Sequence, residues 1–296
     1  MVPDSVARAA RGTRPESREA AELRTIRSQN PQLQSAVDLH LELLEGQRRV
    51  QGRVPLPMLE ISAESIQRHQ ASAIPILRFE DIPLDLSDLR LMVRQTADVL
   101  RRYGALEEVD YQKIHVLGRD MQLLAVARLW FHSAFQEQVV TIGMPAAEPF
   151  AELDGSDVID QVLTLSMRPF LSRCAEVLQR QPELSIWTHA HCALCGGNPD
   201  FSVITPSAER HLICGRCELR WKWESLTCPH CRNNDRTRIT SFATPDGQYR
   251  VYACDVCRRY LKAYDGRRAA RPVMPMVDAV ATLPLDAAAI QRGYSS

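Results

Sequence analysis

Eight of the nine cysteines in this 296-residue chain stand in four Cys-x-x-Cys pairs: Cys192/Cys195, Cys214/Cys217, Cys228/Cys231 and Cys254/Cys257. A tight turn with that spacing aims two sulfurs and several backbone N–H groups at one ion, and two such turns on facing hairpins complete a tetrahedron. Eight thiolates therefore make two closed sites and predict two metal ions per chain. Four thiolates in a tetrahedron suit iron and zinc alike, so the pattern leaves the metal open between those two. Glycine after a ligand, as in Cys195-Gly196-Gly197 and Cys214-Gly215, offers the positive φ that such turns use. Pro229, in Cys228-Pro229-His230-Cys231, presets φ at another turn.

Taking the pairs in chain order joins neighbouring hairpins into two compact ribbons across connections of 18 and 22 residues. An interleaved cross-brace satisfies the ligand count too, but connections this short favour sequential pairing. Cys-x-x-Cys also serves thiol–disulfide exchange. That use needs a βαβ setting and usually a single pair, whereas four pairs here crowd into 66 residues with no helical pattern between them. His189 and His191 precede the first pair, yet the cysteines already fill both tetrahedra, so these histidines are expected at the surface or behind the ligands. His115 and His132 have no second ligand at helical spacing. A four-cysteine site keeps no open position for Lewis-acid work, and no Ser-His-Asp arrangement, phosphate-cradling glycine loop or paired carboxylate stands out. The chain reads as non-catalytic, with no catalytic residue assigned.

No run of about 18 apolar residues occurs, and the first residues, with Arg8, Arg11, Arg14 and Arg18 among polar neighbours, lack the apolar stretch of a secretory signal. A cytoplasmic location without membrane insertion is expected. That compartment keeps thiols reduced, which favours ligation over a disulfide framework. The ninth cysteine, Cys174, lies in an apolar helical stretch and reads as an inert core thiol. Formal charge is zero overall, but residues 187–271 carry 14 Lys/Arg against 8 Asp/Glu. Four thiolates around a divalent ion leave a net −2, so two filled sites lower this local excess to about +2. The apparent basic patch is largely neutralisation of metal–thiolate centres, and no nucleic-acid partner is expected.

The elements that must position these sulfurs follow from the pattern. Residues 1–20, rich in Arg, Ala, Glu and Ser, read as a flexible arm. Residues 21–186 form a helical domain. Ser87 is expected to cap a helix carrying Leu89, Met92, Val93 and Leu100. A second helix is expected over Asp110–Gln138, closed by Pro145 and Pro149, and a third runs from Asp157 with Pro169 kinking or splitting it. From Trp187 the composition turns to Cys, Arg, Gly and aromatics, with alternating runs such as Tyr249-Arg250-Val251-Tyr252. The first four-cysteine ribbon spans 187–226, the second 227–271, and a tail covers 272–296. The fold class is α+β, an all-helical N-terminal domain followed by two small zinc-ribbon β modules.

At the cysteine pairs the chain resembles the FdhE-type formate dehydrogenase accessory family. The resemblance rests on Cys192-Ala193-Leu194-Cys195-Gly196-Gly197-Asn198-Pro199, on Cys214-Gly215-Arg216-Cys217 with Trp221, on Cys228-Pro229-His230-Cys231-Arg232-Asn233, and on Cys254-Asp255-Val256-Cys257-Arg258-Arg259-Tyr260-Leu261-Lys262. Asp278-Ala279-Val280-Ala281-Thr282-Leu283-Pro284-Leu285-Asp286 with Gly293-Tyr294 completes it. The resemblance implies rubredoxin-like modules behind a helical domain, in a cytoplasmic maturation factor that binds the catalytic subunit of a molybdenum- or tungsten-dependent formate dehydrogenase. Arg258, Arg259, Tyr260 and Lys262 are then candidates for contacting that subunit. The chain departs from the family at Ser225, where an Arg is common, and at Val277-Asp278, where an acidic pair is common. Both departures are expected to alter the partner surface without touching the metals. The competing readings are a zinc-ribbon nucleic-acid-binding protein, using Arg216, Arg220, Arg258 and Arg259 on phosphates, and a rubredoxin-like electron-transfer protein.

Overall fold

A computed structural model describes residues 16–59, 61–119, 122–139, 156–267 and 269–296. Helix α1 (Arg18–Gln29) begins inside the stretch expected to be a flexible arm: the Ser17 hydroxyl accepts from the Ala20 N–H at 3.2 Å, and Leu23 is buried. Residues 1–15 of that arm lie outside the described residues. Helix α2 (Gln34–Gln51) follows, then α3 (Ala63–Ser72), a short helix between Pro57 and Pro75 that apolar spacing did not announce. Helix α4 (Leu86–Arg102) starts two residues earlier than expected. Its cap is Asp85, not Ser87, because the Asp85 carboxylate accepts from the N–H groups of both Ser87 and Asp88 at 2.9 Å.

The expected long helix over Asp110–Gln138 is instead two, α5 (Glu108–Leu117) and α6 (Leu123–Val139). The break falls at Gly118, where the backbone runs so close to α4 that a β-carbon would sit 3.3 Å from Arg94 Cγ. Pro145 and Pro149 lie outside the described residues. Helix α7 (Ser156–Leu178) passes through Pro169 as a single helix. Proline supplies no N–H to the carbonyl four residues back, and that carbonyl, Leu165 O, is taken by the buried Gln47 side chain of α2 at 2.8 Å. Helices α2, α4 and α7 pack on one another around Leu89, Met92, Val93, Phe170 and Leu171.

The cysteine-rich region is one six-stranded sheet in the order β3-β2-β1-β6-β5-β4. The first module contributes β1 (Pro199–Ile204), β2 (Arg210–Cys214) and β3 (Arg220–Trp223), and the second β4 (Ile239–Ala243), β5 (Tyr249–Cys254) and β6 (Tyr260–Asp265). Each module is an antiparallel meander, and the two join by parallel pairing of β1 with β6, from Phe201 opposite Lys262 to Ile204 opposite Asp265. The tail folds into α8 (Pro275–Ala281) and α9 (Leu283–Gln291). Among the described residues, no helix is long and apolar enough to cross a membrane.

Candidate metal centres

All four Cys-x-x-Cys turns have one backbone plan. In each, the N–H of the residue after the second cysteine returns to the carbonyl of the first: Gly196 to Cys192 at 3.0 Å, Glu218 to Cys214 at 3.0 Å, Arg232 to Cys228 at 2.9 Å and Arg258 to Cys254 at 2.9 Å. That residue is left-handed every time, with φ of 75° at Gly196, 63° at Glu218, 59° at Arg232 and 60° at Arg258. Positive φ was expected at both Gly196 and Gly215, but only Gly196 adopts it. Gly215 is small for another reason: a β-carbon there would lie 3.1 Å from the Asp200 carboxylate.

The turns bring the sulfurs together in chain order. Cys192, Cys195, Cys214 and Cys217 form one group and Cys228, Cys231, Cys254 and Cys257 another, each with all sulfurs within 4.8 Å of one another. Sulfur–sulfur distances of 3.5 Å in the first group and 3.6 and 3.7 Å in the second rule out disulfides, which need about 2.05 Å. They approach the edge of about 3.8 Å expected for a tetrahedron with 2.3 Å metal–sulfur bonds. Burial pushes the Cys192 and Cys217 thiols well above their ordinary range. A divalent ion in place of those protons supplies the charge partner that buried thiolates require. The donor set and spacing fit zinc or iron at each group. His115 and His132 join neither group. Cys174 is fully buried, its thiol pushed up to about 12 by desolvation.

The first group is set into the helical core. Its four cysteines are at most 2% exposed and share a cluster with Trp130, Phe170 and Trp187. The carbonyls of Ala193 and Leu194, between its first two ligands, accept from the N–H groups of Ile76 and Leu77 at 2.9 Å. Arg216 lies 4.2 Å over the Trp130 ring and donates to the Trp130 carbonyl at 3.1 Å, while Arg168 of α7 donates to the Gly215 carbonyl at 2.9 Å. His189 and His191 sit behind the ligands, facing the carbonyls of Gln70 at 2.7 Å and Ala73 at 3.0 Å. The second group belongs to none of the buried apolar clusters. Cys228 and Cys254 are buried, but Cys257 is half-buried and Cys231 exposed.

A solved structure described as the FdhE protein from Pseudomonas aeruginosa superposes on this chain with a TM-score of 0.60 and 18% sequence identity, covering 95% of this chain and 94% of that one. This chain has the FdhE fold. No family model matches it, and no curated protein does.

Within the FdhE fold, the four residues expected to face a partner separate. Tyr260 and Lys262 are buried under α9, where the Tyr260 hydroxyl and the Lys262 ammonium reach the two oxygens of Asp286 at 2.8 and 2.6 Å. Arg259 is half-buried. Arg258 is exposed, stacked 4.1 Å from the Tyr294 ring and donating to the Arg292 carbonyl at 2.7 Å. The departures at Val277 and Asp278 do not alter a surface, since both side chains are fully buried; Ser225 is exposed. Asp278 is instead the centre of a network that sequence spacing could not reveal. It accepts from Arg271 at 2.6 Å, from the Tyr249 hydroxyl at 2.8 Å and from the Met274 N–H at 2.7 Å. A cavity of about 640 Å³ lies where bundle, sheet and tail meet, lined by His40, Arg168, Asp200, Lys262 and Asp286. Asp200 presents accessible surface there, but protein surrounds it, and that desolvation pushes its carboxyl up to about 6.

Proposed function

We propose that this chain is an accessory protein of formate dehydrogenase maturation, a non-catalytic platform stiffened by two metal ions that binds the catalytic subunit in the cytoplasm. The observation that carries the reading is the likeness to an FdhE protein along nearly the whole of both chains, with both four-cysteine groups assembled. Closed four-sulfur sites suit a structural or one-electron role and not substrate binding. The exposed face of the second module, including Arg258, is the surface offered to the catalytic subunit. Two arginines that the nucleic-acid reading needs are otherwise engaged: Arg216 on Trp130 and Arg220 on the Val273 carbonyl at 3.4 Å.

A deletion strain is the test. It should accumulate formate dehydrogenase catalytic subunit that is present but inactive, with activity restored by the wild-type chain and not by variants lacking the cysteine pairs. The catalytic subunit should be captured by the tagged chain before its assembly is complete. Normal formate dehydrogenase activity in the deletion strain, with no paralogue present, overturns the assignment. Elemental analysis of the anaerobically purified chain decides between iron and zinc.

A further inference from the structure

We propose that the two centres differ in kind: the first is a closed structural site, and the second is an exchange site at which a chelating ligand from solution displaces Cys231 from the metal. The inference rests on the reading that both groups hold an ion. Reaching a sulfur of the first group requires pulling the module from the bundle, because Arg216, Arg168, Ile76 and Leu77 all clamp its turns. Reaching the second requires no such opening. Cys231 is exposed and begins a run, 231–238, in which every residue but Asn233 is exposed, and Val256 between the other two ligands is 52% exposed.

Charge at the second site does not select the incoming ligand. Arg232, Arg236 and Arg238 are exposed in that run, and Arg258 is exposed beside Cys257. The nearby carboxylate of Asp235 is turned onto Thr237 at 2.9 Å, and that of Asp255 onto the Tyr294 hydroxyl at 2.6 Å. Both carboxylates stay ionised, Asp255 also pairing with Arg258 at 3.4 Å, and with the net −2 of a filled site they offset the four arginines, so the approach to Cys231 favours neither sign of incoming ligand. In the exchange step a bond forms between the incoming donor atom and the ion while the Cys231 sulfur–metal bond breaks. The displaced thiolate takes a proton from water, and nothing is oxidised or reduced.

Metal release from the zinc-loaded full chain into excess EDTA, followed by desalting and elemental analysis, tests this. One ion should leave on the order of tenfold or more faster than the other, since only the slow site needs a sub-global opening. In parallel, iodoacetamide labelling with peptide mapping should modify Cys231 and Cys257 before any of Cys192, Cys195, Cys214 or Cys217, a readout that needs no variant. The fast phase should appear with uncharged 1,10-phenanthroline as well as with EDTA, because access and not charge opens the site. Two ions leaving in a single phase, or first labelling within the first group, overturns the proposal while leaving two metal sites in place. A chain that takes up one ion overturns the two-site reading itself, and this inference with it.

Discussion

Two single residues carry more than their size suggests. Gln47 takes over the hydrogen bond that Pro169 removes from α7, so Gln47→Leu should leave the Leu165 carbonyl buried and unpaired. The cost expected for an orphaned buried acceptor is about 1–3 kcal/mol, read from denaturant unfolding of the metal-loaded chain. The left-handed residue of each turn makes an opposite pair of predictions. Gly196→Ala should destabilise by about 1–3 kcal/mol, because its φ is 75° and the new methyl would meet Pro75 Cγ at 2.9 Å. Arg232→Gly, at an equivalent φ of 59°, should be neutral or stabilising by up to about 1 kcal/mol. A destabilised Arg232→Gly chain would mean that its stacking 5.9 Å over Trp223 outweighs the backbone strain.

At the scale of the element, the sulfur groups tie turns to different neighbours. Purified chain should hold two ions, and Cys228→Ser should lose one and keep the other, as elemental analysis can show. The consequences for folding should be unequal. The second group belongs to no buried cluster, whereas the first shares a core with α4, α6 and α7. Loss of the first ion should therefore loosen the bundle as well as the ribbon. Hydrogen exchange should show lost protection at Ile76 and Leu77, whose N–H groups bond to the first turn, in Cys195→Ser and not in Cys228→Ser. Unchanged protection there in Cys195→Ser would mean that bundle and ribbon are independent units.

Over the whole molecule, the tail is what joins its parts. Arg271 is paired to Asp278 of α8 and lies 3.4 Å from Glu22 of α1, while Asp278 holds Tyr249 of the sheet, so one network spans bundle, sheet and tail. Asp278→Ala takes the nearer of two carboxylates from a guanidinium that is 10% exposed and leaves it only the other, Glu22 at 3.4 Å, so the loss should fall at or below the lower end of the ~3–5 kcal/mol expected when a buried pair is broken from one side. A thermal melt of the metal-loaded variant should fall accordingly, and Asp278→Asn should recover only part of the loss.

The cysteine spacing by itself implied two four-sulfur groups, and the short connections of 18 and 22 residues favoured sequential pairing over an interleaved brace, the order that the folded turns adopt. The helical character of the N-terminal half and the switch to strands after Trp187 were equally legible, since each rests on the period of apolar residues along the chain. Helix ends were less so. Ser87 and Asp85 both have the chemistry of a cap, and the interruption comes at Gly118, a C-cap glycine inside an otherwise apolar stretch that reads as one long helix. What only the tertiary structure decided concerns residues far apart in the chain: the repair of Pro169 by Gln47, the parallel seam of β1 and β6 that merges two ribbons into one sheet, the burial of Tyr260 and Lys262 beneath the tail, and the burial of Asp278 of the tail against the sheet. It also decided that one four-cysteine group is enclosed and the other reaches solvent, because burial depends on which surfaces meet and identical Cys-x-x-Cys spacings carry no record of that.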